Sequence, residues 1–238
     1  MPTYKIRRLV PRAGGVKAMN KRIMLNDNNG KFTKALSVAV LAGLSFLGTS
    51  CFAGELENQN RQTGERSYNF ENANDVYTVT ENFGTTGTGK FTINGVAGED
   101  GSKSTIDFDG HSGMNITNAS DVTIKDVELT NAKMIGNTGS VLFVNNANAK
   151  VTLENVYVHD IFNEAMNSEF GGVLGANNGK VKLTNCIFQN NILKSSNSYT
   201  YGGVIENTRN SFIEYISGKF INNYAEGNST VSNKVGAQ

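Results

Sequence analysis

The sequence predicts an all-β fold, a parallel β-helix (solenoid) of short strands with Asn and Gly at its corners. Three near-copies of one stretch support this prediction: residues 139–160, 171–191 and 202–223. An apolar pair returns in each copy after 31 or 32 residues: Val141/Leu142, Val173/Leu174 and Val204/Ile205. A period in this range is typical of stacked-repeat architectures, in which each copy buries its apolar side chains against the next.

Apolar and polar residues alternate within each copy. A period of two indicates strands with one row of side chains facing a core. Asn and Gly separate the strands, and both tolerate the left-handed backbone of tight corners. Their density also disfavours a helix. The alternation predicts these residues for the inner rows: Val151, Leu153, Val181, Leu183, Ile213 and Ile216.

Asparagines occupy equivalent positions in successive copies. Asn155 corresponds to Asn185, and the pair Asn190/Asn191 corresponds to Asn222/Asn223. Stacked amide side chains can bond to one another along a pile of strands. The repeat therefore predicts Asn ladders at the corners.

Charge divides the chain at residue 53. Residues 1–53 contain nine Lys or Arg and one Asp, whereas the rest contains thirteen Lys or Arg and twenty Asp or Glu. The overall charge of +1 thus combines a leader near +8 with a body near −7. Residues 35–47 carry no charge, but a bilayer span needs roughly 20 apolar residues. They are typical of a secretion signal, which predicts cleavage between Ala53 and Gly54 and no transmembrane anchor in the mature chain.

Two features of the leader remain open at the sequence level. Its length is compatible with Met19 or Met24 as the true start, or with a genuinely long leader. Cys51 is a candidate for lipidation, although Leu47 lies one position too far upstream for the usual lipoprotein motif. Cleavage after Ala53 would leave Cys186 without a disulfide partner, so we expect a buried, apolar role for it.

The remaining boundaries follow from composition. Residues 54–75 are rich in charges and amides and predict a poorly ordered segment. Residues 76–230 form the expected β-helix, and residues 231–238 a polar tail. The last copy has a neighbour on one side only, and an uncapped strand edge can pair with another chain. We therefore expect the C-terminal coil to fray first or to self-associate.

Two sets of motifs carry a family resemblance. Residues 90–110 (KFTINGVAGEDGSKSTIDFDG) look like the opening coils of right-handed parallel β-helix proteins. Residues 202–205 (GGVI) with 218–225 (GKFINNYA) resemble the "GGAI…G.F..N.A" phrase of autotransporter passenger domains and polymorphic outer-membrane proteins. Residues 171–191 contain a second, degraded copy of that phrase. The resemblance covers about residues 90–225, and it implies a right-handed helix exported to a bacterial surface.

The resemblance has one departure. Autotransporters end in a membrane β-barrel, whereas this sequence has only the residues STVSNKVGAQ after its last repeat. The expectation is therefore a truncated passenger or fragment, located at the cell surface or outside the cell, or in the periplasm if it is truncated.

Motifs for nucleotide, cofactor and histidine chemistry do not hold. Residues 84–90 fit the front of a phosphate-binding loop, but Phe91 stands in place of the Ser or Thr and a strand follows instead of a helix. His111 and His159 have no Ser/His/Asp or Cys/His pattern around them, and we expect both to be exposed polar residues. No catalytic residue and no cofactor is predicted.

Carboxylates are the remaining chemical candidates. Asp107 and Asp109, near Glu99 and Asp100, form the acidic cluster of the sequence and are weak candidates for calcium. The alternative is that they are solvated corner residues. Parallel β-helix proteins include pectin-cleaving enzymes, but their acidic motif series is absent here. Residues 110–112 (GHS) are an isolated near-match.

Charge and loop composition limit the partners. A body near −7 disfavours nucleic acid, since phosphate binding needs clustered Lys and Arg. Phe170, Tyr199 and Tyr201 lie in or beside predicted loops, where they can contact a surface glycan or a host protein, or fold back over the coil edge. The sequence thus predicts an adhesive or structural module without catalysis; the alternative is a polysaccharide-active, pectin-lyase-like enzyme.

Overall fold

The computed structural model describes residues 55–133, 138–165, 169–170, 172–195 and 200–227. It is nearly all β, with 62% strand and 4% helix, and its parallel sheets stack as a β-solenoid of about four turns. The predicted fold class is confirmed. Several predicted features lie outside the described residues: Met19, Met24, Cys51, the Ala53/Gly54 cleavage site, Tyr199 and the tail at 231–238.

One helix and nineteen strands form the described part of the chain. In chain order they are α1 (Glu55–Arg61), β1 (Gly64–Asn69), β2 (Val76–Thr78), β3 (Gly84–Thr85), β4 (Gly89–Asn94), β5 (Ser104–Asp107), β6 (Met114–Ile116), β7 (Ser120–Lys125), β8 (Val127–Thr130), β9 (Leu142–Glu154), β10 (Tyr157–His159), β11 (Phe162–Ala165), β12 (Glu169–Phe170), β13 (Leu174–Thr184), β14 (Cys186–Gln189), β15 (Ile192–Ser195), β16 (Thr200–Tyr201), β17 (Ile205–Tyr215), β18 (Gly218–Ile221) and β19 (Tyr224–Gly227).

Parallel strands stack into two main sheets and two smaller ones. The first sheet has the order β1-β4-β7-β9-β13-β17; β6 also pairs with the long strand β9, and β3 pairs with β6. The second has the order β2-β5-β8-β10-β14-β18, and a shorter third sheet joins β11, β15 and β19. Strands β12 and β16 form a separate pair. Within the described residues no helix is long and apolar enough to cross a membrane.

Aligned apolar side chains fill the interior. Val151 is opposite Val181, and Leu153 is opposite Leu183, in the parallel pairing of β9 with β13. All four are buried, as the alternation predicts. Cys186 is also buried, and burial raises the pKa of its thiol, in agreement with the expected apolar role.

In the last described turn, the structure corrects the prediction for one inner-row residue. Ile213 pairs with Val181 and Tyr215 with Leu183, so the alternation continues unbroken from Ile213 to Tyr215. Ile216 is the next residue after Tyr215 and therefore faces outward, where 51% of it is exposed. The prediction of Ile216 as an inner residue is wrong, and Tyr215 takes that place.

The predicted Asn ladders are present at the corners. Asn185 Nδ2 donates to Asn155 Oδ1 (3.0 Å), and Asn155 Nδ2 donates to Asp126 Oδ1 (2.7 Å). These three residues have φ values of 51°, 53° and 56°, a region that Asn and Asp tolerate better than most residues. The same side chains thus form the corner and connect one turn to the next.

The N-terminal segment differs from its prediction. Residues 55–69 form α1 and β1 instead of a poorly ordered segment, and β1 pairs with β4 from Gly64↔Gly89 onward. Leu56 is fully buried. The Glu57 carboxylate accepts hydrogen bonds from the Tyr77 hydroxyl and from Thr80 N (2.9 Å). Polar contacts hold this segment in place, so its low apolar content was not a guide to whether it is ordered.

Candidate functional site

The second sheet presents two columns of outward-facing side chains. Because Leu129, Val158 and Phe188 point inward, their neighbours on β8, β10 and β14 point outward. The pairing of these strands aligns one column at the strand starts (Glu128, Tyr157, Ile187) and one at the strand ends (Thr130, His159, Gln189). Polar and aromatic groups from three successive turns therefore meet on one flat surface.

His159 is the centre of this surface. Its Nδ1 lies 2.8 Å from Asp160 Oδ2, and its Nε2 lies 3.5 Å from Glu128 Oε2. The imidazole stacks on the Tyr157 ring, with the ring centroids 4.3 Å apart and the planes 24° from parallel. We name these four residues, together with Gln189, the His159 cluster.

Burial, hydrogen bonding and neighbouring charges shift the pKa values of two groups beside His159, Asp160 and Tyr157. The hydrogen bond with His159 lowers the pKa of Asp160 below its ordinary value, and a hydrogen bond from Asn190 acts in the same direction. Burial raises the pKa of Tyr157, and the negative charges of Asp160 and Glu128 raise it further. Tyr157 therefore keeps its proton at neutral pH, and its hydroxyl donates to Gln189 Oε1 (3.1 Å).

The cluster differs from the sequence expectation for histidine. Only 17% of the His159 side chain is exposed, so it is not the solvated polar residue that we predicted. Tyr157, His159 and Asp160 come from one turn, whereas Glu128 and Gln189 come from the turns on either side, and sequence patterns for catalytic sites do not capture such an arrangement. The register of the repeats could have predicted the contacts, since it aligns Glu128 with Tyr157 and Thr130 with His159.

His111 lies elsewhere, in the corner after β5. Its backbone N donates to Phe108 O (2.7 Å), its carbonyl accepts from Lys133 N (3.0 Å), and the residue is partly buried. The expectation that His111 is an exposed residue is therefore wrong as well. Its role in the described structure is to form the corner.

The acidic candidates are corner residues. Asp107 Oδ1 accepts hydrogen bonds from Asp109 N (2.9 Å) and Asn131 Nδ2 (2.9 Å), and Asp109 has a φ of 45°. Asp100 Oδ1 accepts from Ser102 Oγ and Ser102 N in a tight turn, and these hydrogen bonds lower the pKa of Asp100. In the part of the chain that the structure describes, no three His, Cys, Asp or Glu side chains converge as metal ligands.

The glycines of residues 84–90 have a packing role. A Cβ on Gly87 would lie 1.9 Å from Gln62 O, and one on Gly89 would lie 2.5 Å from Gly64 O. Strand β4 begins at Gly89. The glycines therefore let this backbone pass close to the link between α1 and β1, and no helix begins there to bind a phosphate.

A second feature borders the His159 cluster on the third sheet. Phe162, Ile192 and Tyr224 are aligned across β11, β15 and β19, and we name them the apolar stripe. Phe162 is 56% and Tyr224 is 50% exposed. The stripe begins three residues after His159, so the two features share a corner. Beside it runs a charged column, in which Lys194 Nζ lies 3.9 Å from Glu226 Oε2.

The loop aromatics are only partly visible. The backbones of Phe170 and Tyr201 pair in register in β12 and β16. Their side chains are outside the described part of the structure. Which of the two predicted roles they have, contact with a partner or cover for the coil edge, therefore stays a prediction.

Comparison with known proteins gives no relative. No protein-family model, no curated protein and no solved structure matches this chain. The β-solenoid is seen directly in the chain, whereas the likeness to autotransporter passenger domains depends on the repeat motifs alone.

Proposed function

We propose that this chain is an exported bacterial β-solenoid, displayed at the cell surface or secreted, that serves as an adhesive or structural module without catalysis. Three features support the proposal. The fold is a β-solenoid of about four turns, whose outward-facing side chains are aligned from turn to turn. Residues 1–53 have the charge and apolar pattern of a secretion signal, and residues 202–205 and 218–225 resemble passenger-domain repeats.

The apolar stripe is the observation that carries the adhesive part of the proposal. Exposed apolar side chains that form a contiguous patch mark interaction surfaces more often than isolated ones do. Here two aromatic residues and Ile192 are aligned on rigid neighbouring strands, where strands lie about 4.8 Å apart. Aromatic rings combine an apolar face with low conformational freedom, and the His159 cluster adds hydrogen-bonding groups at the same corner.

The net negative charge of the chain after residue 53 favours a neutral or basic partner over an acidic one. The body of the chain is near −7, and on the two neighbouring faces the carboxylates of Glu128, Asp160, Glu164 and Glu226 outnumber the cations of Lys194 and Lys219. An acidic ligand would meet like charges there. A neutral surface glycan or a protein with a basic patch fits this surface, and nucleic acid does not.

Binding to an array of immobilised neutral glycans tests the proposal. We expect Phe162→Ala and Tyr224→Ala each to weaken binding about tenfold, the usual effect of removing an interface anchor. Val76→Ala is the matched control, because Val76 is an equally exposed apolar residue in the first turn. Unchanged binding in both stripe variants, or equal losses in the control, would contradict an adhesive role for the stripe.

A polysaccharide-cleaving enzyme is the second candidate. The observation that favours it is His159 between the carboxylates of Glu128 and Asp160, since such a set can move protons at a sugar oxygen. Incubation with pectin-like and neutral polymers should then release new reducing or unsaturated ends, and His159→Gln should abolish the release. Glycan binding without turnover would favour the adhesive module.

A further inference from the structure

Two arginines at the N-terminal end of the described solenoid have different surroundings. Arg61 is the last residue of α1, the helix that packs against the first turn as its N-terminal cap. Each nitrogen of its guanidinium has a partner: Nε donates to Phe83 O (3.1 Å), Nη2 to Asn82 O and Nη1 to Glu81 Oε1 (2.8 Å). The hydrogen-bonding groups of Arg61 are therefore satisfied.

The other arginine, Arg66, occupies an inward-facing position in β1. It is opposite Phe91 in the pairing of β1 with β4, and Phe91 is fully buried in the interior. The central carbon of the guanidinium lies 5.5 Å from the centroid of the Phe91 ring. A cation therefore begins an inner row that apolar residues continue, from Phe91 to Val122 and Val151.

The nitrogens of the Arg66 guanidinium are only partly satisfied. Nη1 donates to Gly64 O (2.8 Å) and to Thr88 O (3.3 Å), which orients the group against two backbone carbonyls. Nε and Nη2 are buried and have no hydrogen-bond partner in the part of the chain that the structure describes. These two nitrogens share one edge of the guanidinium, and such an edge can form two parallel hydrogen bonds with a carboxylate.

Leaving this edge without an acceptor costs free energy, because water does not replace the missing partner of a buried charged donor. Burial lowers the pKa of Arg66 below its ordinary value. Two acids close in the sequence already have other partners: Glu65 pairs with Lys90 (3.1 Å), and Glu57 accepts from Thr80 N (2.9 Å). An acceptor supplied by a ligand would recover the lost hydrogen bonds.

We propose that the edge formed by Nε and Nη2 of Arg66 is a binding site for a small carboxylate, which stabilises the N-terminal end of the solenoid. Two coplanar oxygens of one carboxylate match two parallel N–H groups, and one negative charge matches one cation. A phosphate would add charge and oxygens, whereas the nearby Lys90 is already paired with Glu65. The inference concerns the first turn and does not depend on the adhesive function.

The accessibility of Arg66 limits the size of the ligand. The two unpaired nitrogens are closed to bulk solvent, whereas the residue as a whole is partly exposed. A ligand therefore reaches the edge only if it is small or presents its carboxylate at a slender end. Acetate meets this requirement and is the probe for the site.

Thermal unfolding of the full chain in sodium acetate, compared with sodium chloride at the same ionic strength and neutral pH, tests the proposal. A ligand that binds only the folded chain raises Tm with its concentration. We expect a saturable rise for the wild type and an apparent affinity for acetate at least roughly tenfold weaker for Arg66→Met. Arg66→Lys keeps the charge but loses the paired edge, so it should behave like Arg66→Met.

Lys90→Met is the matched control for charge. It removes one cation from the outward face of the neighbouring strand β4 and should leave the effect of acetate unchanged. Three outcomes would reject the site: acetate raises Tm no more than chloride does, either Arg66 variant keeps the full effect of acetate, or phosphate stabilises the wild type as strongly as acetate.

Nuclear magnetic resonance of the isotope-labelled wild type gives a second measurement if Arg66→Met does not fold. The Nε–H resonance of Arg66 should move with acetate concentration in a saturable way, because this group gains an acceptor. The Nε–H resonance of Arg61, which already donates to Phe83 O, should stay in place. Equal movement of both resonances, or none in either, would contradict binding at Arg66.

Discussion

Asn191 donates its side-chain amide to Asn223 Oδ1 at 2.9 Å, across one step of the stack. Its other contacts extend the connection in the opposite direction. The same amide donates to Val158 O (3.1 Å), and Asn191 Oδ1 accepts from Ile161 N (3.2 Å). One buried side chain therefore bonds to the turn on either side of its own and connects three successive turns, and this polar ladder stabilises the stack from inside.

Asn191→Ala should accordingly be strongly destabilising. The change removes partners from Val158 O and Ile161 N in a buried position, and we expect the free energy of unfolding to fall by about 2–3 kcal/mol. Asn94→Ala is the control, because Asn94 Nδ2 bonds to Asn69 Oδ1 on the exposed side of the first turns. Denaturant unfolding measures both. Equal losses in the two variants would contradict the special role of the inner ladder.

Glu57→Ala should loosen the N-terminal cap. The change leaves Thr80 N and the Tyr77 hydroxyl without their acceptor, a loss of about 1–3 kcal/mol for a buried donor. Hydrogen exchange should become faster in α1 and β1 and stay unchanged in β13 and β14. Glu55→Ala, on the same helix but partly exposed, is the control. Uniformly faster exchange along the whole chain would show that α1 does not act as a local cap.

Asp160 makes a contribution to stability that acid should remove. Its pKa is lowered in the folded chain, chiefly by the hydrogen bond with His159. The stabilisation is therefore present above the unfolded pKa of about 3.9 and is lost as the pH falls through the folded value. Asp160→Asn removes this dependence, and Asn suits the φ of 54°.

Thermal unfolding of the wild type and Asp160→Asn between about pH 6 and pH 3 measures the effect. The difference in Tm between the two should shrink as the pH falls. A difference that stays constant across the range would mean that the ionisation of Asp160 does not contribute.

Export should remove the leader. The prediction depends on the change of charge at residue 53 and on the uncharged residues 35–47. N-terminal sequencing of the protein from its native host should begin at or close to Gly54. A chain recovered from the cytoplasm with Met1 or another upstream start would contradict export and, with it, the surface location.

The repeat was sufficient to predict the stack, because equivalent residues of successive copies occupy equivalent positions in a solenoid. Val151, Val181 and Ile213 fall in one row by alignment alone, and Asn155 and Asn185 fall in one ladder. Tyr215 and Ile216 were the difficult pair, since both are apolar and adjacent. Only the pairing of Tyr215 with Leu183 decides which of them faces inward.

Two features were beyond sequence reasoning for a different reason. The cap α1 is held largely by the polar contacts of Glu57, which hydrophobic periodicity does not register. The His159 cluster joins side chains about 30 positions apart on the outward face, where polar residues are expected whether or not they contact one another. In both cases the decisive information is which polar groups contact each other, and only the folded structure shows that.

The last turn should be the least stable part of the solenoid. Leu183 is fully buried between two turns, so Leu183→Ala should cost about 2–5 kcal/mol. Ile205 is only partly buried in the last turn, and Ile205→Ala should cost less. Hydrogen exchange at concentrations where the chain is monomeric should be faster in β17, β18 and β19 than in β13, β14 and β15, because each turn is protected by its neighbours. Protection of β17, β18 and β19 as strong as that of β13 would contradict this prediction.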